Sequence, residues 1–234
     1  MFTPTVEKII QPFLFRHYLV LDELPQDVRL KIEASYIPME MGAGEILFRQ
    51  GAYPKGAFKV RSGLVKITHC TSQGQRQLVY VYGAGDWIGF RQIITKEAYP
   101  IVASAVENVI VDFIPLEAFQ KLLREEPLLV NNLLETVSHE FSVWVNRLTV
   151  FSRFQMRARL ALCLLILQDR FSVSGKSVNP IKFSRQDLAD FIGGTLETTV
   201  RTLSEFKEAG WVKTSGKQIT VLDAEALAGV VGEI

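Results

Sequence analysis

Residues 191–201 read Phe-Ile-Gly-Gly-Thr-Leu-Glu-Thr-Thr-Val-Arg. Two successive glycines end whatever helix precedes them, and Thr195 is a residue type that caps a new helix by accepting a backbone N–H. Upstream, Ser184 followed by Asp187 and Leu188 is a capping pattern for an earlier helix, and Gly210 stands where the later one should stop. Ala189 and Gly193 are small enough to let two helices cross closely. Farther on, Trp211-Val212-Lys213, the turn Thr214-Ser215-Gly216 and Gln218-Ile219-Thr220-Val221 spell a β-hairpin. Helix, tight turn, helix, hairpin is the outline of a winged helix-turn-helix. A helix from Met156 to Gln168 and a Ser/Gly/Pro-rich loop from Phe171 to Pro180 lead into it.

On the second of these helices Glu197 and Arg201 are four residues apart and share a face. An arginine can donate two hydrogen bonds to guanine O6 and N7, and a carboxylate can accept from cytosine N4. An ordinary surface pair between the two, worth about 0.3–0.5 kcal/mol, is the competing reading. The charge distribution favours DNA. Residues 151–217 hold eleven Lys and Arg against six Asp and Glu, in a chain whose net charge is only +1. A basic small domain on a slightly acidic larger one is the footprint that phosphate binding requires.

Toward the N-terminus the pattern changes. Val130, Leu134, Val137, Phe141, Trp144, Leu148 and Phe151 recur at alternating intervals of four and three, with Pro127 suited to the first turn. This seam predicts a long helix that pairs lengthwise with a second copy; packing within one chain is the alternative. Before it, from about Ile37 to Pro115, short β-branched and aromatic runs alternate with glycines. Phe58-Lys59-Val60, Leu64-Val65-Lys66-Ile67-Thr68, Gln77 to Tyr82 and Val109 to Ile114 predict a small β-barrel or roll, and Leu24 to Glu33 a covering helix. The fold class is therefore α+β. The expected domains are a β-roll sensor over 1–126, a dimerisation helix over 127–153 and a winged helix-turn-helix over 154–234.

The 234 residues are 48% hydrophobic and 22% charged, which excludes disorder and fibrous repeats. Cys70 and Cys163 are too few for a disulfide scaffold and too few for an iron–sulfur cluster. The longest apolar run, Leu160 to Leu167, is far short of a membrane span, and no signal peptide is evident, so a cytoplasmic location is expected. His17, His69 and His139 have no metal-ligand spacing. A cupin-like enzyme would need clustered His and carboxylate ligands, so no enzymatic activity is expected.

Three further stretches complete the pattern: Gly44-Glu45-Ile46-Leu47-Phe48-Arg49-Gln50-Gly51, Val60-Arg61-Ser62-Gly63-Leu64-Val65-Lys66-Ile67 and Gly85-Asp86-Trp87-Ile88-Gly89. With the 191–201 motif, they make the chain resemble the cyclic-AMP-receptor/Fnr (Crp/Fnr) family of bacterial transcription regulators over about residues 18–222. The resemblance implies a cyclic-nucleotide-binding-type roll and a homodimer joined through the long helix. It also implies recognition helices in successive major grooves of a pseudo-palindromic duplex, with RNA polymerase as a further partner. Glu197 and Arg201 match the family's readers of a G·C-containing half-site. Leu196 stands where the cyclic-AMP receptor has arginine and Fnr-like members an apolar residue, so an Fnr-type half-site is expected. Arg185 and Lys217 match phosphate-holding positions, and Thr195, Thr198 and Val200 complete the DNA-facing set.

The sensing pocket departs from the family pattern. Phe90 stands where nucleotide-binding members have the ribose-holding Glu, and Tyr99 or Pro100 where they have the phosphate-neutralising Arg. Trp144 and Val145 replace the hydroxyls offered to the purine. A buried phosphate needs a compensating donor, so cyclic AMP is not the expected effector. Arg91 could hold an anion from a shifted position. Val79, Phe90, Arg91, Tyr99, Ile101, Trp144 and Val145 suit a small apolar effector, or a pocket filled by its own side chains. Some family members bind haem, but no cofactor is assigned. The alternative function is a nucleotide-type regulatory module without specific DNA binding.

Overall fold

The glycine-punctuated runs of residues 37–115 form antiparallel strands β1 (Ile37–Met41), β2 (Ile46–Phe48), β3 (Gly56–Ser62), β4 (Val65–Cys70), β5 (Arg76–Tyr82), β6 (Trp87–Ile88), β7 (Val102–Ala105) and β8 (Val109–Pro115). The structure is a computed structural model that describes residues 2–21, 24–172 and 180–232. Two four-stranded sheets result, ordered β1-β8-β3-β6 and β2-β7-β4-β5. Strands distant in sequence pair: β3 lies along β8 with Phe58 opposite Phe113, their rings 5.0 Å apart. This is the β-roll anticipated from the turn spacing.

Helices α2 (Gln26–Ala34), α3 (Phe90–Thr95) and α4 (Leu116–Glu125) accompany the roll. Val28, Ile32, Trp87, Phe90, Ile114, Phe119, Leu129 and Leu133 belong to one buried cluster, so these helices and the start of the next share a core. By its contacts the chain divides into two units. One is Phe15–Phe141; the other comprises the described residues of Met1–Leu14 and Ser142–Ile234.

Helix α1 (Pro4–Ile10), which was not anticipated, belongs to the second unit. Thr3 accepts the Val6 N–H, Pro4 supplies a fixed φ at the first turn, and Val6 and Ile10 are buried. That unit also holds α6 (Met156–Phe171), α7 (Arg185–Ile192), α8 (Leu196–Glu208) and α9 (Ala224–Gly232), with a three-stranded sheet of β9 (Ile181–Lys182), β10 (Val212–Ser215) and β11 (Gln218–Val221). Helix α6 buries Leu160 through Leu167 without interruption, and α1 packs against α6 and α9. It runs to Phe171, past the expected end at Gln168. Residues 173–179 of the expected loop lie outside the described residues.

Helix α5 (Pro127–Arg153) runs 27 residues without a break, its residues through Phe141 counted in the first unit and those from Ser142 in the second. Its buried row is Leu129, Leu133, Thr136, Glu140, Val143, Arg147 and Val150. These positions repeat the four-and-three spacing one residue before each member of the predicted seam. A one-residue offset is about 100° of helix rotation, so seam and buried row are adjacent faces of one helix. Four seam members face outward, Leu134, Phe141 and Leu148 at 66%, 71% and 68% exposed and Val130 at 40%, whereas Val137, Trp144 and Phe151 are half-buried and Val137 packs against the core cluster.

Candidate nucleic-acid interface

The helix-turn-helix forms as the sequence predicts. Ser184 accepts the Asp187 N–H at 2.9 Å and starts α7. Gly193 ends α7 at φ +65°, a left-handed conformation that glycine adopts without a steric cost. Thr195 then accepts the Thr198 N–H at 3.1 Å and starts α8. One face of α8 buries Thr199, Thr202, Leu203 and Phe206. The opposite side presents Leu196, Glu197, Val200 and Arg201 to solvent over its first two turns, beside exposed Thr195 and half-buried Thr198.

The surface pair that competed with base reading is not formed: neither Glu197 nor Arg201 makes an ion pair with another described residue. Both heads are therefore available to an external partner. Across the motif, Arg185 Nη2 donates to the Gly216 carbonyl at 3.2 Å and ties the start of α7 to the wing turn. Partial burial pulls the Arg185 guanidinium below its ordinary pKa, and its Nη1 has no partner among the described residues. Lys182, Lys213 and Lys217 are exposed on the wing strands and turn.

Two cations in the sequence count have other work. Arg157 pairs with Glu205 at 2.7 Å and lies over Phe206 and Trp211. Arg159 donates to the carbonyls of Phe151 (2.5 Å), Phe154 (2.9 Å) and Ile192 (3.4 Å), holding the α5–α6 corner against the end of α7. The phosphate-facing charge is therefore smaller than composition suggested.

In the roll unit, Phe90 lies wholly in the core rather than lining an opening. Tyr99 is buried, stacked on Phe48 with centroids 3.8 Å apart, and burial raises its phenol to about 12. Val79 and Ile101 are half-buried. Trp144 and Val145 fall in the other unit, Trp144 half-buried and Val145 exposed.

Arg91 is engaged internally. Its Nε donates to Glu140 Oε2 at 2.7 Å, its Nη2 pairs with the other carboxylate oxygen, and the Tyr82 hydroxyl lies 3.5 Å from Nη2. His17, fully buried beside the rings of Phe15 and Tyr82, reaches the same carboxylate through Nε2. Its Nδ1 accepts the Trp87 N–H at 2.9 Å, so Nε2 carries the hydrogen that meets Glu140. Burial alone would raise the Glu140 carboxyl, but the His17 hydrogen bond and the Arg91 charge hold it below its ordinary value. Sequence reading missed this cluster. Glu140 sits one residue before Phe141 of the seam and carries no motif, and its partners are 123 and 49 residues away.

No group of three or more His, Cys, Asp or Glu suited to a metal occurs among the described residues, and no described helix is long and apolar enough to cross a membrane.

Two family models match the chain: a cyclic nucleotide-binding domain over residues 38–126 and a Crp-like helix-turn-helix domain over 158–230. The fumarate and nitrate reduction regulatory protein of Salmonella typhimurium is 31% identical over 191 residues, covering 81% of this chain and 76% of that protein. The transcriptional activator protein FnrA of Stutzerimonas stutzeri is 30% identical, covering 81% and 78%. Among solved structures, FixK2 of Bradyrhizobium japonicum superposes with a TM-score of 0.70 at 21% identity, covering 83% of this chain and 96% of that one. The global regulator CLP of Xanthomonas campestris gives 0.71 at 18%, covering 84% and 99%. A cyclic nucleotide-binding-type roll is thus followed by a Crp-like helix-turn-helix, and the chain belongs to the Crp/Fnr family of DNA-binding transcription regulators.

Proposed function

We propose that this regulator works as a cytoplasmic homodimer, joined along Val130, Leu134, Val137, Phe141, Trp144, Leu148 and Phe151 of α5. It reads a pseudo-palindromic operator with Glu197 and Arg201 and holds phosphates with Arg185 and Lys217. The functional division is then a roll over 1–126, a dimerisation helix over 127–153 and a DNA-binding domain over 154–234, with α1 packed on the last. RNA polymerase is the expected further partner. The observation that carries the reading is the first two turns of α8. A capped helix, buried along one side, leaves an arginine and a carboxylate exposed and without ion-pair partners among the described residues. The dimer rests on the outward seam, since a row of apolar side chains this exposed on one helix marks an interaction face.

Cyclic AMP in the family's usual mode does not suit the roll. A buried phosphate would need a free cation, and Arg91 is held by Glu140. Buried Phe90 and Tyr99 favour a roll closed on its own side chains over one open to an apolar molecule.

The test is selection of duplexes from a random pool by the purified full chain, with light scattering on the same sample. The expected result is a dimer enriching a two-fold-related site, and Arg201→Ala should abolish that enrichment while leaving the dimer intact. A monomer that enriches nothing would refute the reading.

A further inference from the structure

The end of α5, the middle of α6 and the last turn of α7 line a half-open cleft, with Phe13 of the N-terminal segment as a further wall. Every residue that lines it belongs to the second unit. Its empty space is about 310 Å³ counting the mouth, and its enclosed part about 20 Å³, room for one small group. Phe151 and Arg159 are half-buried and mark the mouth, whereas Arg147, Cys163 and Phe191 are buried and mark the inner end.

The lining joins two chemistries. Phe13, Phe151 and Phe191 offer flat apolar walls, and Arg147 and Arg159 bring two guanidinium groups; no Asp or Glu lines the cleft among the described residues. Arg147 is 6% exposed and lies over Phe191 at 4.6 Å, Trp144 at 5.7 Å and Phe151 at 5.9 Å. Rings supply only the partial negative charge of their faces, so a cation kept from water gains more from a full anion beside it. Arg159 gives one hydrogen from each of its three nitrogens to the carbonyls of Ile192, Phe151 and Phe154, and each Nη holds a second. Burial pushes the Cys163 thiol well above its ordinary value, so it stays neutral and does not serve as that anion.

We propose that this cleft is a binding site for a small aromatic carboxylate. The carboxylate enters first and takes paired hydrogen bonds from the Arg147 guanidinium, and the ring lies in the mouth against Phe13 and Phe151. Inorganic phosphate is too strongly hydrated for walls that are mostly apolar, and a neutral ring makes no use of the guanidinium groups. Phe191 and Ile192 are the last two residues of α7, so an occupant touches the first helix of the helix-turn-helix without involving the exposed face of α8. The site stands independently of the operator reading proposed above.

The probe is benzoate, titrated into the full chain labelled at its isoleucine methyls, with benzamide and inorganic phosphate as comparators at the same ionic strength. Benzoate should move the Ile166 and Ile192 methyls, which line the cleft, and leave Ile88 of β6 in the roll unmoved. The expected dissociation constant is about 1 mM or tighter, with benzamide at least about tenfold weaker and phosphate causing no shift at either cleft methyl. Arg147→Met, similar in length and uncharged, should lose at least about tenfold in affinity, and Arg147→Lys should recover part of it. Equal affinity for benzoate and benzamide would overturn the proposal, as would shifts at Ile88 without shifts at Ile166 and Ile192. No shift at about ten times the expected constant would do the same, and so would a folded Arg147→Met chain that binds benzoate as the wild type does. The wild-type titrations decide the matter even where a substituted chain fails to fold. Failure of the full chain to select any duplex would refute the operator reading and leave the benzoate result standing.

Discussion

Replacing Glu140 by Gln tests what fixes the long helix to the roll unit. The substitution preserves volume but removes the charge that faces Arg91 and accepts from His17. Both partners stay behind, and removing one member of a buried pair costs more than the pair contributes, about 3–5 kcal/mol where burial is complete. A quarter of the Arg91 side chain is exposed, so solvent recovers part of that, and we expect about 2–4 kcal/mol. At roughly 3–5 °C per kcal/mol for a unit of this size, the melting midpoint should fall by roughly 10 °C. In a Trp144→Phe, Trp211→Phe background the one tryptophan left is buried Trp87, whose backbone N–H meets His17 and which therefore reports on this unit. The sign with pH follows from Glu140 being depressed in the folded chain. Its contribution is complete above the unfolded carboxyl value near 4.3 and is lost as pH falls through the lower folded value. The wild type should lose part of its advantage over Glu140→Gln under acid, and the two curves should converge. Glu135→Gln, exposed on the same helix, is the control. A Glu140→Gln protein within about 1 kcal/mol of wild type, or a gap that persists at low pH, would refute the reasoning.

Other consequences can be checked alongside. Leu134→Asp or Leu148→Asp puts a charge on the outward row of α5 and should halve the mass seen by light scattering; an intact dimer would place the interface elsewhere. Thr195→Ala removes the acceptor for the Thr198 N–H and should cost the DNA-binding unit about 1 kcal/mol in urea unfolding followed by helical circular dichroism. A Cβ at Gly56 would lie 2.1 Å from the Ile114 carbonyl oxygen and 2.4 Å from the Phe113 ring, with backbone on one side that cannot yield. Gly56→Ala should therefore destabilise the roll by about 3 kcal/mol or more, visible as a loss of soluble protein. Ile10→Ala should destabilise by about 2–4 kcal/mol, and the change should appear in Trp144 and Trp211 fluorescence; a response confined to Trp87 would put α1 on the roll instead.

Local chemistry carried much of the architecture into the sequence. Ser184, Gly193, Thr195 and Gly210 bound two helices because caps and left-handed turns are decided within three or four residues, and they form where those residues stand. The roll was legible from glycine spacing for the same reason. The non-local pairing was not: nothing near Phe58 announces Phe113, and no composition signal joins α1 to α6 and α9 across more than 140 residues. The charge surplus of residues 151–217 is larger than the charge left to face phosphates. Arg157 and Arg159 look like any other cation in sequence, and only their contacts with Glu205 and with three carbonyls show that they are structural.

The long helix shows most clearly where pattern reading stops. Its apolar seam was visible because every member is Val, Leu, Phe or Trp at heptad spacing, and hydrophobicity alone would take such a row for a core. The row that is buried lies one residue earlier and includes Thr136, Glu140 and Arg147, polar types that a hydrophobic period cannot register. Each is tolerable inside because of what it meets: the Thr136 hydroxyl donates to the Asn132 carbonyl at 2.8 Å, Glu140 binds His17 and Arg91, and Arg147 lies over Phe191 at 4.6 Å. A helix whose inward row is partly polar and whose outward row is wholly apolar is inverted for a monomer. In the homodimer proposed above, a second helix laid against exposed Leu134, Phe141 and Leu148 would cover this row and leave the inward row undisturbed.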